Sequence, residues 1–203
     1  MIRVDKNDDV WTVTIDRADK ANALTEDMLE ELTDIAIAAR DIKVFILTGA
    51  GRVFSAGADL DQAAKGLAVS EQWEKLSSAI ADIKGLTVAA LNGTVAGGAF
   101  GMVLACDVRL SVGASKFFYP VMRLGFLPQP SDVRRMVDLV GLSRAKLILM
   151  GGQKILADEA LSIGLIDRII EDDDILGAAL LVSQDAQLAK QSHVVAIKSM
   201  IHS

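Results

Sequence analysis

An α/β fold with a largely parallel sheet is predicted from two observations along this chain of 203 residues. Short apolar segments alternate with segments that have the periodicity of amphipathic helices, as expected when strands and helices follow one another. Two of the apolar segments end in glycine-rich loops, which is where open α/β sheets bind their ligands. We find no linker or internal repeat, so the prediction is a single domain with a helical C-terminal part.

The first elements follow from local pattern. Val10 to Ile15 alternates with a period of two, as in a half-buried strand. Thr25 is expected to cap a helix, because Glu26 and Asp27 follow it and acids are favourable in a first turn. The apolar stripe of this helix comprises Met28, Leu32, Ile35, Ala36 and Ala39. Residues 43–48 form an almost continuous apolar run, typical of a strand covered on both faces.

The rest of the chain is assigned in the same way. A helix over 70–83 and a strand over 86–91 are expected between the two glycine-rich loops. A further helix is expected to begin at Gly97 or Gly98. The short strands and the helices predicted after it cover 107–112, 116–118, 131–140, 143–150, 157–163, 174–186 and 187–201. Short alternating strands at the start indicate that part of the sheet is antiparallel.

Composition disfavours several classes of function. The net charge is −6 and the basic residues are scattered, whereas nucleic-acid binding requires clustered Lys and Arg. The single cysteine, Cys106, lies in an apolar run, so we expect a buried, inert thiol and a reducing, cytoplasmic compartment. The first residues lack an apolar targeting core. No uncharged apolar stretch is long enough for a membrane span.

The glycine-rich loops do not carry nucleotide-binding signatures. The first loop has Gly49 and Gly51 in the spacing of a dinucleotide fingerprint, but Phe54 stands at the third glycine position. A phosphate-binding loop that ends in Gly-Lys-Ser/Thr is also missing from the sequence. Glycine-rich turns can instead present backbone N–H groups, and two such donors on one carbonyl oxygen make an oxyanion hole. The alternative is that the glycines only allow tight turns and close helix packing.

Four segments in order resemble the crotonase family, also called the enoyl-CoA hydratase/isomerase family. Residues 17–24 read R-A-D-K-A-N-A-L, against a family pattern R-P-x-x-x-N-A-L. Residues 46–60 match L-T-G-x-G-x-x-F-x-A-G-A-D-L, and residues 92–98 match N-G-x-x-x-G-G. Residues 140–166 match V-G, A-x-x-A and G-L-V in sequence, with isoleucine for the last valine. The resemblance covers nearly the whole chain.

This resemblance implies a stack of ββα turns that binds acyl-CoA thioesters, as in fatty acid metabolism, and assembles as a homotrimer or a dimer of trimers. The oxyanion donors would be the N–H groups of Ala56 and Gly98. The residues implied along the bound CoA and acyl group are Lys20, Ala21, Ala23, Ala58, Asp59, Leu60 and Pro120. Lys20 could equally be a solvated lysine, and the side chain of Asp59 is expected to be structural. No separate cofactor and no metal are expected, because CoA is part of the substrate.

The chain departs from the family pattern at both acid positions. Hydratases of the family use two glutamates, which here correspond to Gly101 and Val121, and neither residue can transfer a proton. Conventional hydration is therefore disfavoured. The polar residues considered as replacements are Tyr119, Arg123, Gln129, Asp132 and Asp61. Asp132 is also expected in the first turn of a helix capped by Ser131. His193 and His202 fall in the last helix and are disfavoured as bases.

The resemblance also indicates an apolar acyl pocket and a shortened C-terminal region. The pocket would be lined by Phe100, Phe117, Phe118, Val121, Met122, Phe126 and Leu127, although core packing explains many of these equally well. The chain is divided into an acyl-CoA-binding core, residues 1–186, and a truncated helical region, residues 187–203. Two functions remain open: an enzyme that stabilises a thioester enolate for isomerisation, hydrolysis or decarboxylation, or a non-catalytic acyl-CoA-binding or regulatory protein.

Overall fold

The computed structural model of the protein describes residues 1–171 and 174–202. In this part of the chain the strands are β1 (Ile2–Asn7), β2 (Val10–Ile15), β3 (Val44–Gly49), β4 (Val53–Ser55), β5 (Leu86–Leu91), β6 (Thr94–Ala96), β7 (Val108–Val112), β8 (Lys116–Phe118), β9 (Ile155–Leu156) and β10 (Arg168–Ile170). The helices are α1 (Glu26–Ala38), α2 (Leu60–Ala63), α3 (Gln72–Ala81), α4 (Ala99–Ala105), α5 (Val121–Leu124), α6 (Pro130–Leu149), α7 (Ala157–Ser162), α8 (Ile175–Val182), α9 (Gln184–Leu188) and α10 (Gln191–His202).

The strands form two sheets. The larger has six strands in the order β1-β2-β3-β5-β7-β10, and only β1 runs antiparallel to its neighbour. The smaller has the order β4-β6-β8-β9, in which the first three strands are parallel and β9 is antiparallel. All six residues of β3 are buried, as expected for a strand with both faces covered.

The chain alternates between the two sheets. β3, β5 and β7 belong to the larger sheet, and the strand that follows each of them belongs to the smaller one. After β4 and β6, helices return the chain to the larger sheet, whereas α5 and α6 follow β8 and lead to β9 of the smaller sheet. This repeated ββα winding stacks β4, β6 and β8 side by side, so the loops that leave them lie next to one another. The packed core joins the larger sheet to α1, α3, α4 and α6.

Most of the longer predicted elements are confirmed. Thr25 caps α1, its Oγ1 accepting a hydrogen bond of 3.3 Å from the Met28 N–H. α6 is interrupted at Gly141, which has a φ of +79°, so the two predicted helices over 130–150 meet at a sharp break. The prediction that Ser131 caps this helix is wrong. Gln129 is the N-cap residue, and Pro130 takes the first helical position, where a missing N–H costs nothing.

Lys198 and Gln191 attach the C-terminal helix α10 to the core, and Gln191 Nε2 donates to the Ile42 carbonyl at 3.3 Å. The Lys198 ammonium group donates to the carbonyls of Ile83 and Gly85 at 2.8 Å and to the Asp107 carboxylate at 2.7 Å. Between α10, α6 and the end of α4 lies a cavity of about 1020 Å³. No helix among the described residues is long and apolar enough to cross a membrane.

Candidate active site

A buried asparagine shapes the first glycine-rich loop. The Asn22 Nδ2 group donates to the carbonyls of Ala50 and Val53 at 2.8 and 2.7 Å, and its Oδ1 accepts from the Arg17 N–H at 2.8 Å. The Ser55 hydroxyl donates to the Asn22 carbonyl at 2.8 Å. Asn22 has a φ of +54°, a conformation that asparagine tolerates better than most residues. This side chain therefore fixes both ends of the loop against the segment around residue 22.

A second asparagine ties the two loops together. The Gly49 N–H donates to Asn92 Oδ1 at 3.0 Å, and Asn92 Nδ2 donates to the Gly51 carbonyl at 2.9 Å. Gly93 packs so closely on the Arg52 carbonyl that no side chain could fit there. Glycine at 93 therefore allows close packing, which is the alternative to N–H presentation that the sequence leaves open for these glycines.

The loops meet at Gly57 and Gly97. Gly57 has a φ of +88°, and a Cβ on it would lie 2.7 Å from the Ala96 carbonyl oxygen and 3.5 Å from the Gly97 Cα. The residues that follow this contact include Ala58 and Gly98, both partly exposed. Neither of their N–H groups has a hydrogen-bond acceptor among the residues that the structure describes. Gly98 also precedes α4, where unsatisfied N–H groups favour negative charge.

The structure does not fit the prediction that the Ala56 N–H is an oxyanion donor. That N–H donates to the Ala21 carbonyl at 3.0 Å and is therefore already engaged within the protein. The Gly57 N–H faces the Ser55 hydroxyl oxygen at 3.2 Å. Of this turn, Ala58 is the residue with an available N–H, two positions beyond the predicted one.

The expected CoA path is held by an ion pair. The Arg17 guanidinium contacts Asp59 Oδ2 at 2.8 Å and also donates to the Ala23 carbonyl at 2.9 Å. The hydrogen bond from Arg17 holds the pKa of Asp59 below its usual range. Asp59 Oδ1 also accepts the first N–H groups of α2. The Asp59 side chain is thus structural, as expected, whereas Lys20 and Leu60 are exposed and have no such role.

A carboxylate lies directly over Gly101. A Cβ on Gly101 would be 3.0 Å from Asp132 Oδ1 and 3.4 Å from the Ser77 Cβ. Asp132 is fully buried, and its Oδ2 accepts a hydrogen bond of 2.8 Å from the Tyr119 hydroxyl. Oδ1 has no partner among the described residues. Of the residues considered as acid replacements, the structure brings only Tyr119 and Asp132 to the predicted acid position.

Burial raises the pKa of Asp132 to about 6, against the opposing effect of the Tyr119 hydrogen bond. Burial also raises the pKa of Tyr119, with the Asp132 charge adding to it, so the phenol stays protonated and donates. A polar cluster adjoins the pair. The Ser131 hydroxyl donates to Glu74 Oε2 at 2.9 Å and accepts from the Arg135 Nη1 at 3.0 Å.

The other candidate acids and bases are elsewhere. Asp61 and Arg123 are exposed, and Gln129 uses its carbonyl as an acceptor at the start of α6. His193 is exposed on α10, and the side chain of His202 lies outside the described residues. Burial raises the pKa of Cys106 to about 12, which supports the expected inert thiol. Among the described residues no group of three or more His, Cys, Asp or Glu could hold a metal ion.

The residues expected to line an acyl pocket are divided between the core and the surface of the structure. Phe100 and Phe117 are core residues, and Phe100 stacks on Tyr119 with ring centroids 5.3 Å apart. Met122 and Leu127 are 57% and 84% exposed. Trp73, a buried residue of α3, is not among the residues predicted for the site. A Cβ on Gly98 would lie 2.9 Å from two carbons of its indole ring, so only glycine fits at 98.

A family model described as enoyl-CoA hydratase/isomerase matches residues 5–203. The chain belongs to the enoyl-CoA hydratase/isomerase family. It is 32% identical over 186 residues to a short-chain-enoyl-CoA hydratase of Clostridium acetobutylicum, covering 87% of this chain and 71% of the relative. It is 34% identical over 179 residues to a probable enoyl-CoA hydratase of Rhodobacter capsulatus, covering 85% and 70%.

The fold agrees with solved structures of the enoyl-CoA hydratase/isomerase family. An enoyl-CoA hydratase from Bacillus anthracis superposes with a TM-score of 0.90 at 27% identity, covering all of this chain and 82% of that one. The ββα winding described above is therefore the crotonase fold that the four sequence motifs predicted. Compared with the family pattern, position 101 carries no side chain, and the carboxylate beside it, that of Asp132, comes from α6.

Proposed function

We propose that the protein binds acyl-CoA thioesters and stabilises a thioester enolate through the N–H groups of Ala58 and Gly98. The observation that supports this is the contact between Gly57 and Gly97, because each of these glycines is followed by a partly exposed residue whose N–H has no acceptor among the described residues. Donors aimed at a developing oxyanion are among the largest contributions to acyl-transfer and enolate chemistry. Ala58 thus replaces Ala56 in the predicted site.

The proposed path of the CoA follows the family resemblance. The nucleotide would lie along the backbone of Ala58, Asp59 and Leu60, with Lys20 near the phosphates. The pantetheine would pass Ala21 and Ala23, and Pro120 would lie beside the acyl group. The Arg17–Asp59 ion pair supports this proposal, because it holds Ala23 and the start of α2 in one rigid arrangement. A homotrimer in the cytoplasm is proposed on the same resemblance.

Reactions that do not depend on both of the family's acid positions fit the site better than hydration does. Hydration needs one group to activate water and another to deliver a proton, and neither Gly101 nor Val121 can do either. Isomerisation, hydrolysis or decarboxylation is therefore proposed as the reaction class. The second candidate is a non-catalytic acyl-CoA-binding or regulatory protein. It is favoured by the complete burial of Asp132, which leaves the predicted acid position covered.

Calorimetric titration with acetyl-CoA and hexanoyl-CoA tests the binding step, and we expect saturable binding of both. Lys20→Ala should weaken CoA binding more than binding of acyl-pantetheine, because the lost contact is to phosphate. Lys65→Ala, a change at another exposed lysine, serves as the control. The carbonyl ¹³C resonance of labelled acetyl-CoA should move downfield on binding, since two N–H donors polarise the thioester. Absence of binding, or an unshifted carbonyl, would contradict the proposal.

Hydration of crotonyl-CoA tests the reaction class. We expect it to be absent or very slow, because loss of one positioned proton-transfer group typically lowers a rate by about a hundredfold to ten-thousandfold. The two acid positions would act as a unit, so their combined loss should be less than additive. Absorbance of the conjugated thioester gives the rate. Brisk hydration by the unmodified protein would refute the proposed reaction class while leaving acyl-CoA binding intact.

A further inference from the structure

We infer that Asp132 is the proton-transfer residue of this site, acting from α6 at the place where family hydratases carry a glutamate on α4. The inference rests on the proposed function and assigns its acid–base chemistry. It depends on three properties of Asp132: its position over Gly101, its oxygen without a hydrogen-bond partner, and its neighbours.

The position follows from helix geometry. Gly101 lies one turn along α4 from Gly98, and residues three apart on a helix have Cβ atoms about 5–6 Å apart. Because Asp132 Oδ1 is 3.0 Å from where a Cβ on Gly101 would be, it lies in the space that a longer side chain at position 101 would need. Glycine at 101 is thus what makes room for a carboxylate from α6. The site has kept a carboxylate while changing the helix that supplies it.

The Oδ1 atom is left without a hydrogen bond. Oδ2 accepts from Tyr119, but Oδ1 is buried and has no partner among the described residues. A buried acceptor without a partner is destabilising, so native proteins rarely keep one without a functional reason. A carboxylate oxygen of this kind is available to take a proton from a bound substrate.

The neighbours set the protonation state. Three groups face Asp132: the Tyr119 phenol, the Glu74 carboxylate on α3 and the Arg135 guanidinium one turn along α6. Burial raises its pKa to about 6 and the Glu74 charge acts in the same direction, while Tyr119 and Arg135 oppose them. At neutral pH the group is therefore mostly a carboxylate whose conjugate acid is still accessible, which suits a general base.

One carboxylate is sufficient for a proton shift. Asp132 removes a proton from the α-carbon of a 3-enoyl thioester, and the C–H bonding pair forms a new double bond to the carbonyl carbon. The carbonyl π pair moves to oxygen, where the Ala58 and Gly98 N–H groups hold it. The same proton then returns to the γ-carbon as the carbonyl reforms, giving the conjugated 2-enoyl thioester. No water or other co-reactant is consumed.

The acyl group would have to reach a covered carboxylate. Tyr119 and α5 come shortly before Asp132 in the chain. Of the four residues of α5, only Val121 is buried. Displacement of this short helix by the acyl group is the route that the proposal requires. Asp132 itself stays fixed, because it belongs to the first turn of the long helix α6.

The test is isomerisation of trans-3-hexenoyl-CoA, together with α-proton exchange of acetyl-CoA and hexanoyl-CoA in D₂O followed by NMR. We expect the unmodified protein to catalyse both reactions and Asp132→Asn to slow them by about a hundredfold to ten-thousandfold while acyl-CoA still binds. Asp138→Asn makes the same change at an exposed position of α6 and should leave both rates unaltered. Gly101→Glu combined with Asp132→Gly returns a carboxylate from α4 and should recover part of the lost rate.

The pH profile separates catalysis from a structural role. Asp132 acts as a base, so the rate should rise as pH increases through about 6 and then level off. Tyr119 lowers the pKa of Asp132, so Tyr119→Phe should move this limb of the profile to higher pH. Acyl-CoA binding with neither reaction in the unmodified protein, or undiminished rates in Asp132→Asn, would overturn the inference and leave binding intact. Failure to bind any acyl-CoA would instead refute the proposed function.

Discussion

Single side chains that contribute no chemistry of their own determine the shape of the candidate site. Asn22 makes no contact that would bind a substrate group directly, yet its three side-chain hydrogen bonds connect Arg17, Ala50 and Val53. The Ala21 carbonyl beside it engages the Ala56 N–H. The asparagine of the family pattern N-A-L is thus a scaffold residue, and it determines which N–H of the next loop remains available.

Asn22→Ala should lower the free energy of unfolding by about 2–4 kcal/mol, because two carbonyls and one N–H each lose a hydrogen bond inside the protein. The positive φ adds to this cost, since alanine disfavours it. Urea unfolding followed by circular dichroism gives the difference. Asn7→Ala, at the exposed end of β1, should change the stability by less than about 0.5 kcal/mol. Equal stabilities of the two variants would show that the clamp is unimportant.

At the residue scale, the loop motif alone does not determine which N–H remains available. It predicts the Ala56 N–H, in the turn of residues 55–57, as an oxyanion donor, but that N–H is engaged by a carbonyl of a neighbouring segment. That neighbour, Ala21, is distant in sequence. Asp132 was one candidate among several for the same reason. Nothing in the local pattern around it shows that α6 places its carboxylate over Gly101.

Elements were predicted well where they are long. α1, α3, β5 and the two halves of α6 follow directly from apolar periodicity. The strands of two or three residues in the smaller sheet were missed where they lie in the loops, because such segments are too short to show a period of two. Residue preference predicts Ser131 as a cap, whereas the adjacent proline sets the start of the helix and the N-cap is Gln129, two residues earlier.

The docking of α10 should depend on Lys198. Its ammonium group uses all three donors, on two carbonyls and on Asp107. Lys198→Met removes these bonds and leaves the acceptors without partners, so local stability of α10 should fall by about 2–4 kcal/mol. Amide hydrogen exchange within α10 measures this. Lys190→Met, an exposed change just before the helix, is the control. Unaltered protection of α10 in Lys198→Met would contradict this account.

At the scale of the whole molecule, apolar surface supports the proposed trimer. Several large apolar residues on the second half of α6, at its C-cap and on α8 are exposed, among them Leu142, Leu147, Met150 and Leu181. Exposed apolar patches commonly mark association surfaces, and closed cyclic symmetry is a common solution. Light scattering should return a mass of about 65 kDa, three times the chain mass of 21.6 kDa. A mass near that of one chain at micromolar concentration would refute the trimer.

The side-by-side stacking of β4 and β6 sets the distance between the loops that form the candidate site. Neighbouring strands lie about 4.8 Å apart, and the loops that leave these two strands carry the Ala58 and Gly98 donors. An oxygen that accepts two hydrogen bonds of about 2.9 Å at about 120° to each other needs nitrogens about 5 Å apart. The strand spacing of the sheet is therefore of the size that the proposed pair of donors requires. Replacing side chains around the acyl group should therefore alter the selectivity for acyl chains. The distance between the two proposed donors should stay unchanged, because it belongs to the backbone.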